Sequence, residues 1–245
     1  MKFALISDIH GNAAALDAIL HDVERVKADQ LMVLGDLAYR GPEPKRVITT
    51  LQSLGCTIIG GNADEWVTRG IRDGEAPEAS LARMREEREW TVSRLADEDL
   101  DFLASLPSVH TVWLTENASM LLCHATPSNR FKATLPEAPG EDLIPLYFAR
   151  AKSEQHLIAA YGHIHVPFVR AINGSVLLNT GSVGMPFDHN PMPSYALVEF
   201  TDGHFSVSLR RVSYSANLAV EALARVNYPH PDHLAKCYTH GVKPY

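Results

Sequence analysis

The sequence predicts an α/β fold built on a parallel core, and three observations carry that prediction. Short, nearly continuous apolar runs recur at residues 2–7, 31–35 and 56–60, as strands buried on both faces require. Segments of helical period separate them. The order is therefore β-α-β-α-β, which implies parallel pairing with right-handed crossovers.

Taken in order, the first run is followed by a helix. Asn12 is a suitable N-cap, and Leu16, Ile19, Leu20 and Val23 fall at i, i+3, i+4 and i+7. After the second run, Val47, Ile48, Leu51 and Leu54 form one stripe that Gly55 stops. Residues 63–106 read as helical and charged, with a mixed-sign run at 83–89 assigned to a solvated face. Strands resume at 109–115 and 119–123, an antiparallel pair around Glu116-Asn117. A Pro-rich loop and a helix at about 141–154 follow, then strands near 157–161, 168–172, 175–178, 195–200 and 205–212. A helix covers about 215–227, and the tail from Tyr228, with His230, His233 and His240 among prolines, reads as surface. No internal repeat or linker divides the chain, so residues 1–245 are expected to form a single domain.

Composition narrows the function classes. Hydrophobic residues make up 46% and charged residues 21% of the chain, the balance of a globular protein and not of a disordered or fibrous one. No apolar stretch approaches the roughly 20 residues of a membrane-spanning helix. The apolar opening stops at Asp8 and His10, short of the about 7–15 residues of a signal peptide core. Three cysteines without paired spacing suit neither a disulfide framework nor a zinc ribbon, so a cytoplasmic location is expected. A net charge of −7 with no basic block argues against a surface for long nucleic acid.

The twelve histidines direct attention to function. Asp8-Ile9-His10, Gly35-Asp36, Gly61-Asn62-Ala63-Asp64, Cys123-His124 and Gly162-His163-Ile164-His165 each stand where a strand is predicted to stop. In an open α/β sheet, ligands bind at the carboxyl ends of the strands. Imidazole, carboxylate and amide oxygen together suit zinc, manganese or iron. Any one of these segments has an ordinary explanation as a turn, a cap or a hydrogen-bonded histidine. Five of them in order do not.

These five motifs resemble the pattern of the calcineurin-like metallophosphoesterases: D-x-H, G-D, G-N-x-[D/E], a strand ending in His, and G-H-x-H. The likeness spans residues 8–165 and extends through Asn179-Thr180-Gly181-Ser182-Val183-Gly184. It implies a four-layer α/β/β/α sandwich of two mixed sheets. It also implies one divalent ion held by Asp8, His10, Asp36 and His165, and a second held by Asp36, Asn62, His124 and His163, with Asp36 bridging. Manganese is the first choice, with Fe, Zn, Co or Ni open. Two such ions about 3.5–4 Å apart share a hydroxide for in-line attack at phosphorus. The resemblance gives Asp36, Asn62 and His124 catalytic as well as ligand roles, and makes 66–106 and 126–156 the walls of the substrate site.

One position departs from the pattern. Many members have His where this chain has Ala63, and an alanine supplies no proton to a leaving group. General acid catalysis is typically worth about 10²–10⁴-fold, so activated phosphodiesters, nucleotides or phosphoric anhydrides are expected over simple alkyl monoesters. Asp64, the usual partner of that His, is left as a carboxylate in the first turn of a helix. Arg40 is a candidate phosphate clamp or a plain surface arginine, and Arg69 is a weaker one. His189 is a candidate replacement acid or a solvated loop residue. Tyr39, Trp66 and Phe187 either stack on a substrate ring or pack.

The expected partner is a small phosphate ester or nucleotide, with diadenosine polyphosphates as a second class of substrate. A non-catalytic interaction scaffold of the same fold, as in a retromer subunit, is the alternative of another kind. A nuclease and a protein phosphatase are further readings that the acidic balance and the lack of a docking signature disfavour.

Overall fold

Phe3 and Leu5 project from one face of β1 (Lys2–Ile6) and Ala4 and Ile6 from the other, and the two pairs lie in different hydrophobic cores. That alternation is the basis of the layering. The computed structural model of the chain describes residues 1–148 and 156–244.

One sheet takes β1, β2 (Gln30–Val33), β3 (Thr57–Ile58), β9 (Ser194–Thr201) and β10 (His204–Arg211) in the order β10-β9-β1-β2-β3. The other takes β4 (Val109–Thr115), β5 (Ala118–Cys123), β6 (His156–Tyr161), β7 (Phe168–Ile172) and β8 (Ser175–Asn179) in the order β4-β5-β6-β8-β7. The parallel core is present as β1-β2-β3, with Phe3 opposite Gln30 and Met32 opposite Thr57. The β4–β5 hairpin is antiparallel, and β5, β6 and β8 run parallel. Both sheets are thus mixed, as expected.

Phe3, Leu5, Met32 and Leu34 of the first sheet meet Met120, Leu122, Ile158 and Leu178 of the second in a dry inner core. Each such side chain contributes about 1.5–3 kcal/mol by burial. On the outer face of the first sheet lie α1 (Ala13–Arg25) and α2 (Pro44–Leu54), through Leu16, Ile19, Val47, Ile48 and Leu51. On the outer face of the second lies α6 (Gly140–Tyr147), through Leu143 and Tyr147 against Tyr161 and Leu177. The four layers are α/β/β/α. Asn12 caps α1, its side-chain oxygen accepting the Ala15 N–H at 3.1 Å.

Several boundaries differ from the expectation. The third strand is only Thr57–Ile58 and half-buried, because it closes an edge of its sheet. Residues 63–106 divide into α3 (Asn62–Arg69), α4 (Glu78–Val92) and α5 (Asp97–Ser105). The 83–89 run is not wholly a solvated face, since Met84 and Glu87 are buried. The helix expected to reach residue 154 is described only to Tyr147, and 149–154 lie outside the described residues. Beyond α7 (Ala216–Arg225), the tail read as surface forms α8 (Pro231–His240). Its Leu234, Cys237 and Tyr238, spaced i, i+3, i+4, are buried with Met185 and Leu223. Of the tail histidines, His230 and His240 are exposed and His233 is half-buried. No described helix is long and apolar enough to cross a membrane.

Candidate metal centre

All seven expected ligand residues stand at the carboxyl ends of strands. Asp8 and His10 follow β1, Asp36 follows β2, Asn62 opens α3 just after β3, His124 follows β5, and His163 and His165 follow β6. Five of them, Asp8, His10, Asp36, His163 and His165, have φ between 49° and 66°. That left-handed backbone is costly for a side chain with a Cβ and persists only where the surroundings over-determine it. Here the loops hold each other. Asp8 N–H donates to the Gly35 carbonyl at 3.0 Å, and Ile9 and His10 N–H both donate to the Asp36 carbonyl, at 2.9 and 3.0 Å.

The side chains converge in two overlapping groups. Donor atoms of Asp8, His10, Asp36 and His165 all lie within 4.8 Å of one another, and all four residues are buried. His165 Nε2 is 3.1 Å from Asp8 Oδ1 and 3.3 Å from His10 Nε2. In the second group, Asn62 Oδ1 lies 3.0 Å from His124 Nε2 and 2.8 Å from His163 Nδ1. Asp36 Oδ2 joins the groups, 3.3 Å from His124 Nε2 and 3.7 Å from His10 Nε2.

Three features fit this donor set to divalent cations. First, three imidazoles have their Nδ1 on main-chain carbonyls: His10 on Tyr39 at 2.8 Å, His124 on Leu34 at 2.7 Å and His165 on Met185 at 2.5 Å. A carbonyl only accepts, so each Nδ1 carries a proton and each Nε2 is the nitrogen turned toward the other donor atoms. Second, Asp8 Oδ2 accepts from Ser7 Oγ at 2.5 Å and from His163 N–H at 2.9 Å, while Oδ1, equally buried, has no hydrogen-bond partner. An orphaned carboxylate oxygen is expensive unless a cation occupies the gap. Third, Asp36 Oδ1 is spent on the Ala63 N–H at 2.8 Å, which leaves Oδ2 to face both groups.

Burial pushes His10 and His163 down to about 4, so both are neutral at pH 7. Burial opposes ionisation of Asp8 and Asp36, yet the neighbouring imidazoles, His165 for Asp8 and His124 for Asp36, hold both below the ordinary carboxylate value. Burial alone would lower His124, but the Asp36 charge outweighs it and lifts it to about 9. A cation held there would displace that proton.

Two supports were not legible in the sequence. The sequence offers Asp64 no partner, but its carboxylate accepts three main-chain N–H groups, those of Asp36, Leu37 and Gly61, each at 2.8 Å. Thr180 Oγ1 is 2.6 Å from Ser7 Oγ, and Ser182 Oγ donates to the Asp8 carbonyl at 2.7 Å. The Asn179–Gly184 run was the only signal for that second support.

The remaining candidates are placed as follows. Arg40 is 5% exposed, and its Nε donates to Glu87 Oε2 at 3.0 Å. His189 is exposed, with its main-chain N–H on the Gly241 carbonyl at 2.9 Å. Ala63 is buried in the core beside α3. Tyr39 packs in the same core and donates to the Met84 carbonyl at 3.0 Å. Trp66 lies edge-on to Tyr39 and 5.7 Å from the Phe131 ring, and its Nε1 donates to Glu75 at 3.0 Å. Arg69 pairs with Glu65 and Glu75, each at 2.7 Å. Phe187 stacks on His165, its ring 4.1 Å from that imidazole with 11° between planes.

Two mixed sheets between helical layers, with an imidazole–carboxylate–amide cluster at their strand ends that could hold a divalent metal, define an α/β protein. Residues 1–203 match the calcineurin-like phosphoesterase superfamily domain, and the chain belongs to that family. It is 30% identical to an uncharacterized protein of Methanocaldococcus jannaschii, over 92% of this chain and 93% of that one. A metallophosphoesterase from Sphaerobacter thermophilus shares the fold with a TM-score of 0.76 and 24% identity, over 99% of both chains. A symmetrical bis(5'-nucleosyl)-tetraphosphatase of Delftia acidovorans is 29% identical over 51% of this chain and 44% of its own length.

Proposed function

We propose that the protein is a dimetal-dependent hydrolase of small activated phosphodiesters or nucleotides. The observation that carries this is Asp36, whose Oδ2 faces His10 of one ligand group and His124 of the other. Asp8, His10, Asp36 and His165 would hold one divalent ion, and Asp36, Asn62, His124 and His163 the other. Such ions supply Lewis-acid activation of water and of a phosphoryl oxygen. The chain's own residues do the positioning. Carbonyl anchors on His10, His124 and His165 turn each Nε2 toward the centre, and Asn62 adds an uncharged oxygen that keeps the centre cationic toward phosphate. Ala63 gives the leaving group no proton, which favours leaving groups that depart as weak bases.

Manganese is our choice of ion for this mixed N/O set. The three free cysteines support a reducing compartment, the cytoplasm. A second reading, hydrolysis of diadenosine polyphosphates, is favoured by the partial match to the Delftia acidovorans enzyme. An interaction scaffold has less support, because no ligand position is lost.

The test is to strip the protein of metal, add Mn²⁺ and compare initial rates on bis(p-nitrophenyl) phosphate, p-nitrophenyl phosphate and diadenosine tetraphosphate. We expect Mn-dependent turnover of the diester above the aryl monoester, abolished in Asp36→Ala. Fastest turnover of the tetraphosphate selects the second reading. No turnover by a protein that binds two ions selects the scaffold.

A further inference from the structure

His165 is gripped from outside the five motifs. Its Nδ1 donates to the Met185 carbonyl at 2.5 Å, the Phe187 ring covers its face at 4.1 Å, and the Phe187 N–H donates to its carbonyl at 3.3 Å. Residues 185–187 therefore fix the imidazole in tilt, in tautomer and along the chain.

That short loop is itself held by the C-terminal helices. Met185 is buried among Leu223 of α7 and Leu234, Cys237 and Tyr238 of α8, and Phe187 packs against the same cluster. Cys237 Sγ lies 3.6 Å from the Pro186 carbonyl. The His189 N–H donates to the carbonyl of Gly241, which ends α8 with φ 65°, and a Cβ there would stand 2.6 Å from Asn190 N. Both helices lie beyond residue 203, where the family match ends.

We propose that α7 and α8 are a positioning element for the metal centre. Acting through Met185 and Phe187, they hold His165 in ligating orientation and so set the affinity of the Asp8–His10–Asp36–His165 site, but not that of the Asn62–His124–His163 site. Phe187 is the positioning residue with the clearest contact. The inference rests on the dimetal reading above. Removal of a group that orients a ligand typically costs about 10–100-fold in metal affinity.

The experiment titrates metal-free, full-length wild type, Phe187→Leu and Phe187→Tyr with Mn²⁺, following heat and bound metal, and records melting of each metal-free protein. For Phe187→Leu we expect one of two binding steps to weaken about 10-fold or more while the other stays within about twofold. Phe187→Tyr, which keeps a ring, restores it. The concentration of Mn²⁺ for half-maximal turnover should rise in Phe187→Leu. Equal weakening of both steps, or no weakening despite a lowered melting temperature, overturns the inference and leaves the dimetal reading standing. A wild type that binds fewer than two ions overturns the dimetal reading, and this inference with it. Should Phe187→Leu fail to fold, Cys237→Ala applies the same test from α8, with the same expected and contrary results.

Discussion

The Asp64 carboxylate accepts the main-chain N–H of Asp36 at 2.8 Å through one oxygen and that of Leu37 at 2.8 Å through the other. Asp36 sits at φ 58°, so the residue that faces both side-chain groups is held in a costly conformation by an acid on α3. Asp64→Ala leaves buried N–H groups unpaired, at about 1–3 kcal/mol each. We expect a clear loss of melting temperature together with about 10–100-fold weaker Mn²⁺ binding, read by calorimetry on metal-free and metal-loaded protein.

Gly61 is required by the same packing. Its φ of −98° is open to any residue, but an added Cβ would collide with Asp36 Oδ1. Gly61→Ala therefore acts by crowding alone. It should cost about 1–3 kcal/mol of stability and displace Asp36, so that denaturant melts and metal stoichiometry fall together.

Glu87 and Arg40 make an ion pair at 3.0 Å with side chains only 2% and 6% exposed. Breaking such a pair from one side strands a charge. Glu87→Gln should destabilise by about 3–5 kcal/mol, and the double variant Arg40→Met/Glu87→Leu should recover most of it. Urea melts check both numbers. A clamp role for Arg40 would show instead as a fall in kcat/KM in the folded double variant.

Asp22 tests the pH dependence of the fold away from the centre. Burial opposes its ionisation, but the hydrogen bonds from Arg210, Arg25 and Tyr195 hold its carboxyl well below the usual value. A depressed folded-state pKa contributes stability that is fully present above the unfolded value of about 3.9 and is lost as pH falls below it. Asp22→Asn should be less stable than wild type by about 1–3 kcal/mol at pH 7, with the gap narrowing below about pH 4. Urea melts at pH 7, 4 and 3 give the difference directly.

The parallel β1-β2-β3 core and the strand-end places of the seven candidate ligands were legible because each is written locally. A short apolar run marks the strand, and a His, Asp or Asn at its end marks the candidate. What escaped notice depends on partners far apart in sequence. Asp64 meets Asp36 across 28 positions and Arg40 meets Glu87 across 47, and no local period announces either. Glu87 read as solvated because neighbouring charges on α4 are so. The tail was misread for another reason. Pro231 at the helix start, Gly241 after its end, and Leu234, Cys237 and Tyr238 on one face are ordinary helix signals, masked by the density of His and Pro around them.

The most direct test of the shared-ligand centre is metal stoichiometry with Mn²⁺ spin resonance on wild type and Asp36→Ala. A centre bridged by Asp36 predicts two Mn²⁺ per wild-type chain with the signal of a spin-coupled pair, and loss of the coupled signal with weakening at both sites in the variant. A single Mn²⁺ per wild-type chain, or two that stay uncoupled and bind Asp36→Ala as tightly as wild type, would contradict it.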